Sequence, residues 1–242
     1  MDNVLVTGAS RGIGLAIAKR LAQDGYCVIG VARKPSDAFT QAAAEIGAAG
    51  ALDFEPLDLN DVAAIPAFVR AVKERRGPIY GLVNNAGVGT GGLLANIAND
   101  DIEALLRLNT LAPIVLTKYV VRGMMAEGRG RVVNIASIVA AAGYSGLSVY
   151  SASKAALVGF TRSLAREVGR VGVTVNAIAP GFVDTEMTRG LDAEQRERIV
   201  ARSALRRMAE AEDVAAMTAL LMGAGGRNVT GAVMTVDAGA TA

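Results

Sequence analysis

The chain has 242 residues, 52% of them hydrophobic and 20% charged, which excludes a disordered or fibrous protein and suits one buried α/β core. There is no histidine and one cysteine, Cys27, so a Ser-His-Asp triad, a Cys-His dyad, a histidine or thiolate metal site and an internal disulfide are all ruled out. Twenty-five basic and 23 acidic residues leave a net charge of +2, no footprint for nucleic acid or an anionic membrane.

From the amino terminus, Val4-Leu5-Val6 reads as a fully apolar strand, followed by a glycine-rich turn and a helix to about Gln23. Further strands are predicted at 26–31, 51–57, 79–84, 131–135, 173–178 and 233–236, with a long helix over 102–125 and another over 150–169. Continuous apolar strands separated by helices mark a parallel sheet covered on both faces. Right-handed crossovers then give a Rossmann-type, doubly wound α/β sheet of about seven strands, a single domain over 1–242. The chain passes straight from Met-Asp-Asn into the first strand, and no apolar run reaches the roughly 18–20 residues that span a bilayer, so a cytoplasmic protein is expected.

The 28 glycines against only 6 prolines point to tight turns and close backbone approaches. Gly8, Gly12 and Gly14 lie between the first strand and its helix, spaced Gly-x-x-x-Gly-x-Gly. Free N–H groups at a helix start, with no Cβ in the way, suit a pyrophosphate. The alternative is a plain tight connection. After the second strand stands Ala32-Arg33-Lys34, with no acid before Asp37. Such an acid would serve the ribose 2′-hydroxyl of NAD. Arg33, with Arg11 nearby, offers instead a fork for the 2′-phosphate of NADP(H), unless it is an ordinary solvated charge.

Tyr150 and Lys154 sit four apart on a predicted helix and share a face. An ammonium beside a phenol is expected to lower the tyrosine pKa and fit it for proton transfer in a protein without histidine. Ser137 precedes the pair by 13 residues, Asn84-Asn85-Ala86-Gly87 closes the fourth strand, Asn109 lies in the next helix, and Pro180-Gly181 follows the sixth strand.

With the opening glycines, these motifs resemble the short-chain dehydrogenase/reductase family along essentially the whole chain. The resemblance implies that Tyr150 is the general acid of carbonyl reduction, that Ser137 holds the carbonyl, and that Lys154 binds the nicotinamide ribose and depresses the Tyr150 pKa. Asn109 would hold a water linking Lys154 to solvent. Gly8, Ser10, Arg11, Gly12, Ile13 and Gly14 would cradle the pyrophosphate, while Asp58 and Leu59 lie against adenine. Asn85, Ala86 and Gly87 would line the adenosine ribose, and Pro180, Gly181, Val183 and Thr185 the nicotinamide end.

Within the family the chain is most similar to 3-oxoacyl-(acyl-carrier-protein) reductases of fatty acid synthesis, although Asp237-Ala238-Gly239 departs from their usual Asp-Gly-Gly. Alternatives are a sister enzyme for another ketone, sugar or secondary alcohol, and a dinucleotide sensor without catalysis. Three further expectations follow. The stretch 182–207 is expected to form a substrate lid. Arg129, Arg131, Arg166 and Arg170 are expected near the pocket mouth, where an acidic acyl carrier protein would dock. The small residues Ala152, Ala156, Gly159 and Ser163 form one helix stripe, available either for packing within the subunit or for the helix contacts of a homotetramer.

Overall fold

The computed structural model describes residues 1–46, 50–89, 91–184 and 192–242. Seven parallel strands form one sheet in the order β3-β2-β1-β4-β5-β6-β7. They are β1 (Asn3–Thr7), β2 (Cys27–Ala32), β3 (Ala51–Pro56), β4 (Ile79–Asn84), β5 (Gly130–Ile135), β6 (Val173–Pro180) and β7 (Val233–Val236). Every expected strand is present, because strands buried on both faces leave continuous apolar runs that few other structures produce. Chain order reverses direction between β1 and β4, and such a switch point opens a crevice at the carboxyl ends of the strands.

The helices are α1 (Gly12–Gln23), α2 (Asp37–Glu45), α3 (Ile65–Arg76), α4 (Asn99–Leu106), α5 (Ala112–Glu127), α6 (Ser148–Val168), α7 (Ala193–Arg202) and α8 (Ala211–Met222). Their ends follow local chemistry. Ser36 caps α2 by accepting from Phe39 N–H at 3.1 Å, and a Pro in the first turn of α3 is matched by Lys73, Arg75 and Arg76 in its last. On one face of the sheet Ile17, Leu21, Phe39, Val214 and Leu221 of α1, α2 and α8 form a core. On the other, Ile65, Val72, Leu116, Met124 and Leu164 of α3, α5 and α6 form a second.

The single long helix expected over 102–125 is instead α4 and α5 joined by a π-helical segment, Arg107–Leu111. Such a segment inserts a residue into the helix and is frequent at functional sites; here it turns Asn109 inward, where it is 1% exposed. Contrary to expectation, the continuous stretch Asn99–Glu127 is long and apolar enough to cross a membrane by length and composition. Its apolarity serves the core: Leu105, Ala112, Leu116, Val120 and Met124 are all at least 98% buried.

Candidate active site

The site is assembled at the switch point by Thr7. Its Oγ1 donates to Val83 O (3.2 Å) and accepts from Asn85 N–H and Ala86 N–H, both at 3.0 Å. The Asn85 amide returns two bonds, to Thr7 O (2.8 Å) and Gly8 O (3.3 Å). Asn85, expected beside the ribose, thus spends its side chain locking the loop after β1 to the loop after β4.

Gly8 has a φ of +65°, and a Cβ there would lie 2.9 Å from Ala86 Cα. At Gly14 a Cβ would meet Gly8 O at 2.2 Å. Only glycine permits this close approach of loop and helix. Arg11 stands at the N-cap of α1 with no side-chain cap bond to the first-turn amides, so Ser10, Gly12 and Ile13 surround a helix start whose N–H groups suit an anion.

Ser36 Oγ donates to Ser10 O, drawing the turn after β2 onto the glycine loop. Arg33, exposed one residue past β2, therefore shares a rim with the exposed Arg11. Asp58 lies beyond the carboxyl end of β3, its Oδ1 accepting from Asn60 N–H at 2.9 Å, while Leu59 is 7% exposed. Pro180 ends β6, Gly181 N–H donates to Val236 O at 2.9 Å, and Val183 is buried in a one-residue parallel pairing with Ala209. Thr185 lies outside the described residues, as does 185–191 of the expected lid.

Ser137, Tyr150 and Lys154 come together over the end of β5. The Ser137 side chain lies close enough to the Tyr150 phenol to favour its ionised form. Lys154 is 4% exposed and donates from Nζ to Ile135 O at 2.8 Å, with Nζ 5.7 Å from the Tyr150 ring centroid. Burial pushes the Lys154 pKa down to about 8. The expected fall of the Tyr150 pKa is not found. Burial raises it, Ser137 opposes that, and the net direction is upward. The physical reason is desolvation of the buried phenol, with the Lys154 ammonium directed at Ile135 O.

Asn109 completes the group. Its Nδ2 donates to Val88 O (2.8 Å) and Ser153 Oγ (3.3 Å), and its Oδ1 accepts from Val88 N–H at 2.9 Å. A Cβ at Gly87 would stand 3.1 Å from Asn109 Oδ1 and 3.5 Å from Lys154 Nζ, so these three positions meet. Ser153, fully buried and donating to Tyr150 O at 2.7 Å, links Asn109 to the helix of Tyr150. Sequence reasoning assigned no role to Ser153 or Thr7. Their signal was weak: a small polar residue inside an apolar element. Below this layer a buried chain runs from Thr117 through Asn84 and Asn134 to Thr161, with bonds of 2.9, 2.8 and 2.8 Å.

The expected basic patch is misplaced. Arg129 precedes β5, pairing with Asp2 and lying 4.9 Å from the Tyr80 ring centroid, and Arg131 lies 5.6 Å from the same ring. β5 is six residues long, so these residues start about 20 Å of strand away from Ser137. Because α6 runs back toward the amino ends of the strands, Arg166 and Arg170 leave the pocket mouth with it. Ala152, Ala156, Gly159 and Ser163 are all exposed, so the stripe does not pack within the subunit.

A family model described as short chain dehydrogenase matches residues 2–196. The 3-oxoacyl-[acyl-carrier-protein] reductase FabG of Pseudomonas aeruginosa is 41% identical over 239 residues, covering 97% of this chain and 95% of that protein. The crystal structure of a short chain dehydrogenase from Burkholderia cenocepacia in complex with NADP has a TM-score of 0.92 at 40% identity, covering 100% of this chain and 98% of that one. A variant of actinorhodin polyketide ketoreductase with NADPH has a TM-score of 0.90 at 38% identity, covering 99% and 97%.

Proposed function

The chain belongs to the short-chain dehydrogenase family of oxidoreductases, and from that premise we propose that it uses NADPH to reduce the 3-oxo group of an acyl thioester, borne by acyl carrier protein or a related carrier. One observation carries the proposal: Ser137, Tyr150 and a buried Lys154 converge at the carboxyl end of β5 in a chain that has no histidine to do the same work. The thioester is favoured by the reductase similar to this chain over 97% of its length. The polyketide ketoreductase similarity supports the broader reading, another small ketone.

The cradle fits the dinucleotide: glycines where a Cβ would collide, an α1 start with no side-chain cap, and Arg33 beside Arg11 at the rim. Gly8, Ser10 to Gly14, Asn85 to Gly87, Asp58 and Leu59 would hold its adenosine half, with Arg33 on the 2′-phosphate. Pro180, Gly181, Val183 and Thr185 would hold the nicotinamide half. The bound reduced nicotinamide supplies the hydride.

Ser137 donates a hydrogen bond to the carbonyl oxygen and fixes it against Tyr150. Burial, by raising the Tyr150 pKa, keeps the phenol protonated at neutral pH and ready as general acid. Tyr150 then passes its proton to that oxygen as it gains charge. The resulting phenolate is supported by Ser137, with the Lys154 ammonium 5.7 Å from the ring centroid. Lys154, near pKa 8, is poised to return the proton, with Asn109 holding the route beside it.

The exposed small-residue stripe on α6 supports a homotetramer built on helix contacts. A panel of acetoacetyl thioesters, sugars and simple ketones, each with NADPH and NADH, tests the reading. The thioesters should turn over with NADPH. Arg33→Ala should cut NADPH preference by about 10- to 150-fold, the scale of one charge-assisted contact. Equal use of both cofactors by the wild type would overturn the role of Arg33.

A further inference from the structure

The loop between β5 and α6 is tied on both flanks. On one side Gly92 N–H donates to Gly146 O at 3.0 Å, joining it to the loop after β4. On the other, the Tyr144 ring stands edge-on to Phe182, with centroids 6.1 Å apart and planes at 70°. Phe182 lies two residues past Pro180, in a turn held by the Gly181–Val236 bond and the Val183–Ala209 pairing. Tyr144 is held by Leu147 N–H on its carbonyl at 3.2 Å, directly ahead of the helix that bears Tyr150. The two rings thus bridge the segment that presents the proton donor and the turn after β6. Neither ring takes part in the proton chemistry.

The opposite flank is open and apolar. Leu93 and Leu94 are 64% and 57% exposed, and Val88 is 41% exposed. An approach between these segments meets loose aliphatic side chains on one side and an interlocked aromatic pair on the other. Close-packed rings at edge-to-face geometry do not yield to a branch without losing their contact.

We propose that Tyr144 and Phe182 are specificity-determining residues. Their rings form the closed wall of the substrate slot, so the site takes a ketone flanked by unbranched chains, entering across Leu93 and Leu94. A ketone with a ring or branch next to the carbonyl is rejected. This rests on the carbonyl reduction proposed above.

The test measures kcat/KM with NADPH for an acetoacetyl thioester, its 2-methyl-branched analogue and 2-methylcyclohexanone. It compares the wild type with Phe182→Ala, Tyr144→Ala, Tyr144→Phe and the milder Phe182→Leu, each checked for folding by circular dichroism. The branched-to-linear ratio should rise about 10-fold or more in both alanine variants, the scale on which pockets discriminate a methylene. Phe182→Leu should show the same direction, Tyr144→Phe should stay near the wild type, and KM for NADPH should not move. An unchanged ratio, or an equal fall on linear and branched substrates, overturns the inference alone. A wild type that reduces none of the three with either cofactor overturns the carbonyl reading and this inference with it.

Discussion

Arg76 and Arg75, just ahead of β4, meet Asp53 and Glu55 of the edge strand β3, each at 2.8 Å, with every one of these four side chains between 14% and 53% exposed. At the carboxyl ends Lys154 and Asn109 are 4% and 1% exposed. Two cavities of about 180 and 220 Å³ also lie at the amino ends, lined by Lys73, Tyr119 and Arg122 in one and by Asn3, Arg76 and Arg129 in the other. The proposed chemistry therefore does not follow the density of charge. It follows desolvation: burial pushes the Lys154 pKa down to about 8 and raises that of Tyr150.

The largest effect that could break this contrast is at Tyr150. Tyr150→Phe should leave folding and NADPH binding intact and lower kcat by at least about 100-fold, the usual scale of a general acid. A variant that keeps most of its kcat would mean the buried phenol is structural.

Lys154 sharpens the comparison through pH. Its folded pKa, about 8, lies below the ordinary lysine value of 10.5. Between the two the unfolded chain binds the extra proton, so the ligand-free protein gains stability as pH rises through that window. The gain is up to about 3 kcal/mol. Urea midpoints measured from pH 7 to 10.5 should show Lys154→Met losing stability relative to the wild type across the window. Parallel curves for the two proteins would show that the lysine is solvated.

The buried chain beneath the site comes next. Asn134→Ala takes one hydrogen-bond partner each from the Asn84 amide and the Thr161 hydroxyl in the core, a cost of about 1–3 kcal/mol. In a domain of this size that is a fall of roughly 2–4 °C in Tm for each kcal/mol, read by calorimetry. At the amino ends, by contrast, Arg76→Ala should cost only about 0.2–1 kcal/mol, and less as salt rises, since exposed pairs are screened.

The sheet is legible because doubly buried strands are written as apolar runs such as Val4-Leu5-Val6, and the proposed catalytic positions because Ser137, Tyr150 and Lys154 fall at family spacings. Features that depend on long-range contact were not. The π segment at Asn109 leaves the apolar periodicity of the long helix nearly unchanged, so it read as one helix. The direction of the Tyr150 pKa depends on how far the fold buries the phenol, which no spacing encodes. The charge of Arg129 and Arg170 carries no signal of the end of the sheet toward which their elements run. Ala238 departs from the usual glycine, yet it takes a φ of +54°, the region glycine favours. Asp237, which accepts from Gly239 N–H and Thr241 N–H, both at 2.9 Å, over-determines that turn.

Hydride transfer itself can be followed directly, by incubating the wild type with NADPH carrying deuterium at both hydrogens of the transferring carbon and an acetoacetyl thioester, then locating the label. The account predicts one deuterium on the carbon that bears the new hydroxyl, with one NADPH oxidised for each product formed and none in Tyr150→Phe over the same interval. Cofactor left unoxidised by the folded wild type, or product without the label at that carbon, would contradict it.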